Sequence, residues 1–177
     1  MLPSDHGKAS TAMRLLLPIV TAAVLSASSA SAQTSLLPQD FAAQAAVANM
    51  FGVESATLAL HKTSSPEIKS FAHRLANDHG TTGSSLRQIT ARRSDIALPE
   101  RPDSRHLDML RDLSSMQGPE FDKAYVAAQR AAQQETVALV AAYAESGSDP
   151  ELKRFAAKAL PTLQYLDRKA KALPTPD

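Results

Sequence analysis

Three ionisable residues in this sequence have the types and the spacing to form a small site, namely Glu54, His79 and Glu135. Carboxylate and imidazole groups bind transition metals, and a bundle of helices can bring such groups together in its interior. Each of the three falls on a stripe of mostly apolar residues near the middle of a predicted helix. Two alternatives remain open. In the first, Glu54 makes a structural pair or hydrogen bond, for which His79 is one candidate partner. In the second, Glu54 and His79 bind a single zinc, copper or iron ion with help from one more group, for which Glu135 is a candidate although it is expected nearer the bundle edge.

His79 has the clearest position of the three. It continues a row of apolar residues at spacings of three, four and seven, which predicts that it is buried, whereas His73 lies off that row. Asp78 is its sequence neighbour but points about 100° away around a helix. We therefore expect Asp78 to pair with Arg74, one turn earlier, rather than to join the site.

The motifs of several enzyme classes are missing from the sequence. Di-iron bundles carry Glu-x-x-His on two of their helices, and no Glu-x-x-His occurs here. There is no glycine-rich phosphate loop, no Gly-x-Ser-x-Gly turn and no cysteine. We therefore predict that the protein is not an enzyme and has no cofactor, with a single transition metal as the alternative.

The pattern after Leu37 is helical throughout. Ser65-Pro66 and Asp149-Pro150 each combine a capping residue with a proline at the first helical position, which is typical of a helix start. The pattern predicts helices over 38–62, from 66 to about 93, over 105–116, over 119–146, and from 150 towards the C-terminus.

A similarity between two segments of the sequence predicts how these helices are arranged. SPEIKSFA at 65–72 matches DPELKRFA at 149–156, and each copy follows a long alanine-rich helix and a short turn. The sequence therefore predicts an all-α, ferritin-like four-helix bundle. It is made of two helical hairpins, joined by a crossover from about 94 to 117 that carries a short extra helix.

The N-terminal region has the pattern of a signal peptide. Arg14 precedes an apolar run over 15–25, and Ala30-Ser31-Ala32 resembles a cleavage site. We predict a signal peptide over 1–32, cleaved near Ala32, with Met13 as an alternative start, and a single helical-bundle domain over 33–177. The apolar run is shorter than the ~20 residues of a spanning helix. The mature protein is thus expected to be periplasmic or secreted, without a transmembrane helix.

The charge of the mature chain argues against nucleic acid as a partner. Lys8, Arg14 and Asp5 leave with the signal peptide, so that 19 basic and 18 acidic residues become 17 of each. Peripheral association with the cell envelope through an arginine-rich stretch stays open, although such charges usually form a solvated face. The residues concerned are Arg92, Arg93, Arg101 and Arg105.

Four segments together resemble a known bacterial family, the domain of unknown function numbered 4142. They are Glu54 with its helix, ANDHGTT in the second helix, FDKAYVAAQ in the third long helix, and LKRFAAKALPTLQYL in the last. The resemblance spans about 40–173 and implies an exported, ferritin-like bundle with polar positions at Glu54, Asp78 and His79. It also implies that Gln133 and Leu166 stand where relatives often carry histidines. A metal site completed by those histidines would lack two ligands here.

Three functions fit this sequence. The leading hypothesis is a non-enzymatic structural or interaction module of the cell envelope. The alternative is a metal-binding, stress-related protein that uses Glu54 and His79. A carrier of a small ligand is a third, and it predicts a cavity inside the bundle.

Overall fold

All regular structure in the described part of the chain is helical. A computed structural model describes residues 36–174, and the predicted signal peptide lies outside that range. The helices are α1 (Pro38–Lys62), α2 (Pro66–Thr90), α3 (Ser104–Ser115), α4 (Gly118–Ser146) and α5 (Pro150–Lys171). This confirms the prediction of an all-α fold. Between residues 36 and 174, every helix is too short or too polar to cross a bilayer.

The four long helices form two hairpins around a common core. α1 packs along α2 and α4 along α5, and further contacts join α1 to α4 and α2 to α5. α3 lies in the crossover and packs against α1 and α4. Two hairpins and a crossover with a short helix are therefore present as predicted. The closer likeness to ferritin stays a prediction.

The second helix of each hairpin starts with the predicted cap. Ser65 Oγ accepts a hydrogen bond of 3.3 Å from a backbone N–H of α2. Asp149 Oδ1 accepts two, of 3.0 and 2.9 Å, from the first turn of α5. α2 ends at Thr90, earlier than predicted. Arg93 lies in the following turn, where its guanidinium binds Asp95 at 2.6 Å and Asp149 at 2.7 Å.

The two similar sequence segments, 65–72 and 149–156, also pack in similar ways. Corresponding apolar residues, at the same distances after the two caps, are buried in the core. These residues are Ile68, Phe71 and Ala72 in α2 and Leu152, Phe155 and Ala156 in α5.

Aromatic rings close both ends of the bundle. Phe41 stacks on Tyr143 with ring centroids 3.9 Å apart at one end, and Phe121 stacks on Tyr125 at 5.7 Å at the other. Because the helices are antiparallel within each hairpin, the middle of α1, α2 and α4 forms a layer between these aromatic clusters. That layer contains His79.

We predict that Asp149→Ala destabilises the bundle, since Asp149 both caps α5 and binds Arg93. Its side chain is only 15% exposed. Removal leaves two N–H groups of the first turn without their acceptor, so the free energy of unfolding should fall by about 1–2 kcal/mol. Urea-induced unfolding at pH 7, followed by circular dichroism, measures this change.

Asp95→Ala is the matched control, because Asp95 binds the same guanidinium with a side chain that is 64% exposed. The Asp95→Ala substitution should lower the free energy of unfolding much less than Asp149→Ala does. Burial opposes the ionisation of Asp149, but hydrogen bonds from the Leu152 N–H and from Arg93 outweigh it and lower its pKa. Its contribution is therefore complete above about pH 4 and is lost as the pH falls through that lowered pKa. Equal effects of the two substitutions at pH 7 would contradict this prediction.

Candidate functional site

His79 lies inside the bundle, as its stripe predicts. Its side chain is 1% exposed, and the apolar residues of the same stripe are buried with it, namely Ile68, Ala72, Leu75 and Leu86. His73, which lies off the stripe, is exposed. The imidazole is therefore held in the middle layer, away from solvent.

Two amide side chains from other helices contact the imidazole. Nδ1 of His79 lies 3.1 Å from Oδ1 of Asn49 in α1, and Nε2 lies 3.3 Å from Oε1 of Gln133 in α4. One ring from α2 thus links three helices.

The contact with Gln133 continues into a longer interior hydrogen-bond chain, defined here by His79, Gln133, Gln129, Ser55 and the carbonyl of Phe51. Gln133 donates to Gln129 at 3.4 Å, and Gln129 donates to the hydroxyl of Ser55 at 2.9 Å. That hydroxyl donates to the Phe51 carbonyl at 2.6 Å. The chain therefore starts in α2, passes along α4 and ends on the backbone of α1.

Burial keeps the imidazole neutral. It lowers the pKa of His79 to about 4, against the smaller opposing effects of the hydrogen bond to Gln133 and the charge of Asp78. A neutral imidazole has a single N–H and can donate to only one of its two amide partners. If Nε2 carries the proton, it donates to Gln133, and every hydrogen bond of the interior hydrogen-bond chain then points from α2 towards the backbone of α1. Asn49 then turns its NH₂ group towards Nδ1, which accepts from it.

A glycine of α1 makes room for the ring. A methyl group at position 52 would lie 2.6 Å from Cγ of His79. The imidazole therefore packs directly against the backbone of α1, and any larger residue at Gly52 would displace it.

Glu54 is not on the buried face of α1, which corrects the sequence prediction. Its side chain is exposed, and the buried polar positions of that helix are Asn49 and Ser55. The prediction rested on a row of Val47, Phe51, Glu54 and Leu58, of which the first two are buried, Leu58 is half-buried and Glu54 is exposed. Most of the other buried residues of α1 are small, so the row of larger apolar residues did not define the buried face well. The ring nitrogens of His79 contact Asn49 and Gln133 instead, so His79 is not the partner of Glu54 in this structure. Both residues still line an open groove of about 780 Å³ beside α1 and α2.

The other predicted residues are also located. Glu135 is exposed and binds Arg105 at 2.6 Å, at the bundle edge as expected. Asp78 binds Arg74 at 2.6 Å, which confirms the predicted pairing. Leu166 is fully buried in the apolar core.

The structure does not bring Glu54, His79 and Glu135 together. Among residues 36–174, no three His, Asp or Glu side chains are grouped closely enough to hold a metal ion. The neighbours that His79 does have are amides, and amide oxygens are poorer ligands for zinc or copper than carboxylate or imidazole.

Sequence reasoning missed Asn49, Ser55 and Gln129 as interior residues. Polar side chains in a helix are usually read as solvent-facing. A signal was nevertheless present in α4, where the two glutamines of the interior hydrogen-bond chain continue a stripe at helical spacing. The stripe contains Phe121, Tyr125, Gln129, Gln133 and Val140, and all are buried.

Comparison with known proteins identifies a family and a shared fold. Residues 23–173 match the family described as "Domain of unknown function (DUF4142)". Among curated proteins, none matches this sequence. A solved structure titled "CopM in the Cu(II)-bound form" is similar with a TM-score of 0.64 and 17% sequence identity, over 77% of this chain and 95% of that one. At this identity the similarity concerns the fold alone.

We predict opposite effects for two glycine substitutions. Gly52→Ala should lower the free energy of unfolding by about 2 kcal/mol, because the new methyl group meets the buried ring of His79. Gly80→Ala meets nothing within 4 Å, and should raise stability by up to about 1 kcal/mol through helix propensity. Thermal and urea-induced unfolding measure both.

The His79→Ala background provides the control for Gly52. There the ring is absent, and Gly52→Ala should no longer be destabilising. A cost that persists in the double variant would show that the methyl group clashes with something other than the imidazole.

We also predict that His79 makes the fold sensitive to acid. The unfolded chain binds a proton at this residue near pH 6.5 and the folded chain only near pH 4. The unfolded state therefore binds more protons between these values. The free energy of unfolding should fall as the pH is lowered across that range, by up to about 3 kcal/mol.

His79→Gln should remove this part of the pH dependence, whereas His73→Gln, on the same helix but exposed, should keep it. Urea-induced unfolding at several pH values between 4 and 7.5 measures the slopes. Identical slopes in the wild type and His79→Gln would refute the prediction.

Proposed function

The chain belongs to the DUF4142 family, whose function is unknown, and on that premise we propose that it is an exported, non-enzymatic helical module with a structural or interaction role in the cell envelope. One observation carries the proposal. Both ring nitrogens of His79 contact neutral amides, from Asn49 in α1 and Gln133 in α4.

This geometry favours a structural role for the imidazole. A histidine that transfers protons works best with a pKa near the operating pH, and burial lowers that of His79 to about 4. A histidine that binds metal offers one free nitrogen while the other is oriented by a hydrogen bond. Here both nitrogens are used to join α1, α2 and α4, which fixes the relative positions of these helices.

The proposed location follows from the sequence. The basic residue, short apolar run and Ala30-Ser31-Ala32 support cleavage near Ala32. A mature domain without cysteine then depends on its apolar core and its interior hydrogen bonds for stability. Fractionation of cells and the N-terminal mass of the purified protein test this part of the proposal.

Metal binding is the second candidate, as in the stress-related alternative of the sequence analysis. The protein of similar fold is titled as Cu(II)-bound. In this chain Glu54 and His79 line the same groove, together with Met50, whose thioether is a copper ligand in other proteins. Binding would require the ring of His79 to give up one of its amide partners.

Metal analysis of the protein purified from the periplasm separates the two candidates. For a structural module we expect no bound metal in stoichiometric amount, and no rise in Tm on addition of Cu(II), Zn(II) or Fe(II). For a metal-binding protein we expect about one ion per chain, with binding lost in His79→Gln and weakened in Glu54→Gln.

Glu120→Gln is the matched control, because Glu120 is also an exposed glutamate on a long helix and lies outside this groove. If Glu54→Gln and Glu120→Gln bind metal equally well, Glu54 is not a ligand. Stoichiometric metal that is lost with His79 would overturn the structural proposal.

A further inference from the structure

A cationic groove lies where the end of α2 meets the start of α5. Its volume is about 610 Å³. Four basic residues line it, with a single acidic residue and two neutral polar ones beside them. The basic residues are Arg92, Arg93, Arg154 and Lys158, the acidic residue is Glu151, and the neutral residues are Ser85 and Gln88.

Three of these cations have no acidic partner among the described residues. Arg93 binds Asp95 and Asp149, but Arg92, Arg154 and Lys158 form no ion pair within residues 36–174. Elsewhere in this range, Arg74, Arg105, Arg111 and Lys171 each bind a carboxylate, whereas most other basic residues form no ion pair either. The groove differs from these sites because its unpaired cations lie close together. The chain as a whole is nearly neutral, so this excess of positive charge is local.

The cations of the groove repel one another, and Glu151 is the single acidic residue of the lining that offsets this repulsion. Arg154 and Lys158 are four residues apart on one face of α5, a spacing at which like charges repel and destabilise a helix. Arg92 adds a third charge to the same groove from the turn after α2. An anion bound between them would replace this repulsion by attraction.

The groove also has a fixed shape. The ion pair between Arg93 and Asp149 ties the turn after α2 to the cap of α5. Phe155 lies at its base and is buried in the core. The backbone segments that carry the cations, the turn after α2 and the first turns of α5, are therefore held in place, and the side chains of Arg92, Arg154 and Lys158 are exposed to an incoming ligand.

We propose that this groove binds a phosphate group through Arg92, Arg154 and Lys158. Guanidinium and ammonium groups are the usual protein partners of phosphate. The phosphate comes either from a free phosphate ion or from the headgroup of an anionic phospholipid. This inference deepens the proposed interaction role by naming a partner class, and it rests on that role but not on the interior hydrogen-bond chain.

The groove differs from the arginine stretch that the sequence suggested. Arg92 and Arg93 belong to it, but Arg105 binds Glu135 on another face. The cations that complete it, Arg154 and Lys158, come from the other hairpin. Only the packing of α2 against α5 brings these residues together.

The first test is thermal unfolding of Arg154→Gln/Lys158→Gln in phosphate and in chloride of equal ionic strength. For the wild type, phosphate at about ten times its Kd should raise Tm by roughly 4 °C. The double variant should lose this shift. In chloride its Tm should be about 1 °C above that of the wild type, because the repulsion within α5 is removed.

Lys69→Gln/Lys123→Gln is the control of equal charge change, since both lysines are exposed and lie outside the groove. It should keep the phosphate shift. The second test measures co-sedimentation with vesicles of phosphatidylcholine that contain phosphatidylglycerol. Binding to vesicles without a shift in free phosphate identifies the lipid headgroup as the source, and a shift without vesicle binding identifies the free ion.

The proposal is overturned if neither probe acts on the wild type, or if the groove variant and the control variant respond equally. The acid sensitivity assigned to His79 does not depend on these charges. If the phosphate proposal fails, the structural role of the imidazole is unaffected. If the structural role of the imidazole fails, the phosphate measurements can still be interpreted.

Discussion

The neutral imidazole of His79 is buried away from water and must find its hydrogen-bond partners among other side chains. This requirement determines which residues lie in the middle of the bundle. Each ring nitrogen of His79 requires a partner, and burial makes an unpaired one costly. The partners come from α1 and α4, and the ring packs against the backbone at Gly52. One side chain of α2 thereby restricts the position of two other helices. Apolar packing alone tolerates sliding and rotation of helices, whereas directed hydrogen bonds between three helices favour one arrangement.

Features set by neighbouring residues in the sequence could be predicted. A polar cap followed by proline depends on local backbone chemistry, so the starts of α2 and α5 were correctly placed. The buried face of α2 was also found, since charged residues and large apolar residues alternate clearly along it. The position of His79 followed from that contrast, as did the pairing of Asp78 with Arg74.

The composition of the site around His79 could not be predicted in the same way. On α1 much of the buried face consists of alanine, glycine and serine, and a pattern of large apolar residues does not locate such a face accurately. Ser55 and Glu54 are adjacent, yet one is buried and the other exposed. Gln129 and Gln133 lie on a buried stripe of α4, but their partners His79 and Ser55 come from other helices and could not be identified from α4 alone. Likewise, the meeting of Arg92 with Arg154 depends on tertiary packing between distant segments.

The modest attachment of α3 has a consequence for local motion. Only Leu110 and Leu113 of this helix are buried, and Leu110 belongs to a small separate cluster with Phe51 and Ala132. Detaching α3 would cost far less than separating the two hairpins, so its amide hydrogens should exchange with solvent through partial opening rather than global unfolding. Such an opening would bring water to Phe51, whose carbonyl receives the last bond of the buried polar chain. The crossover helix therefore shields the Phe51 end of the interior hydrogen-bond chain from solvent.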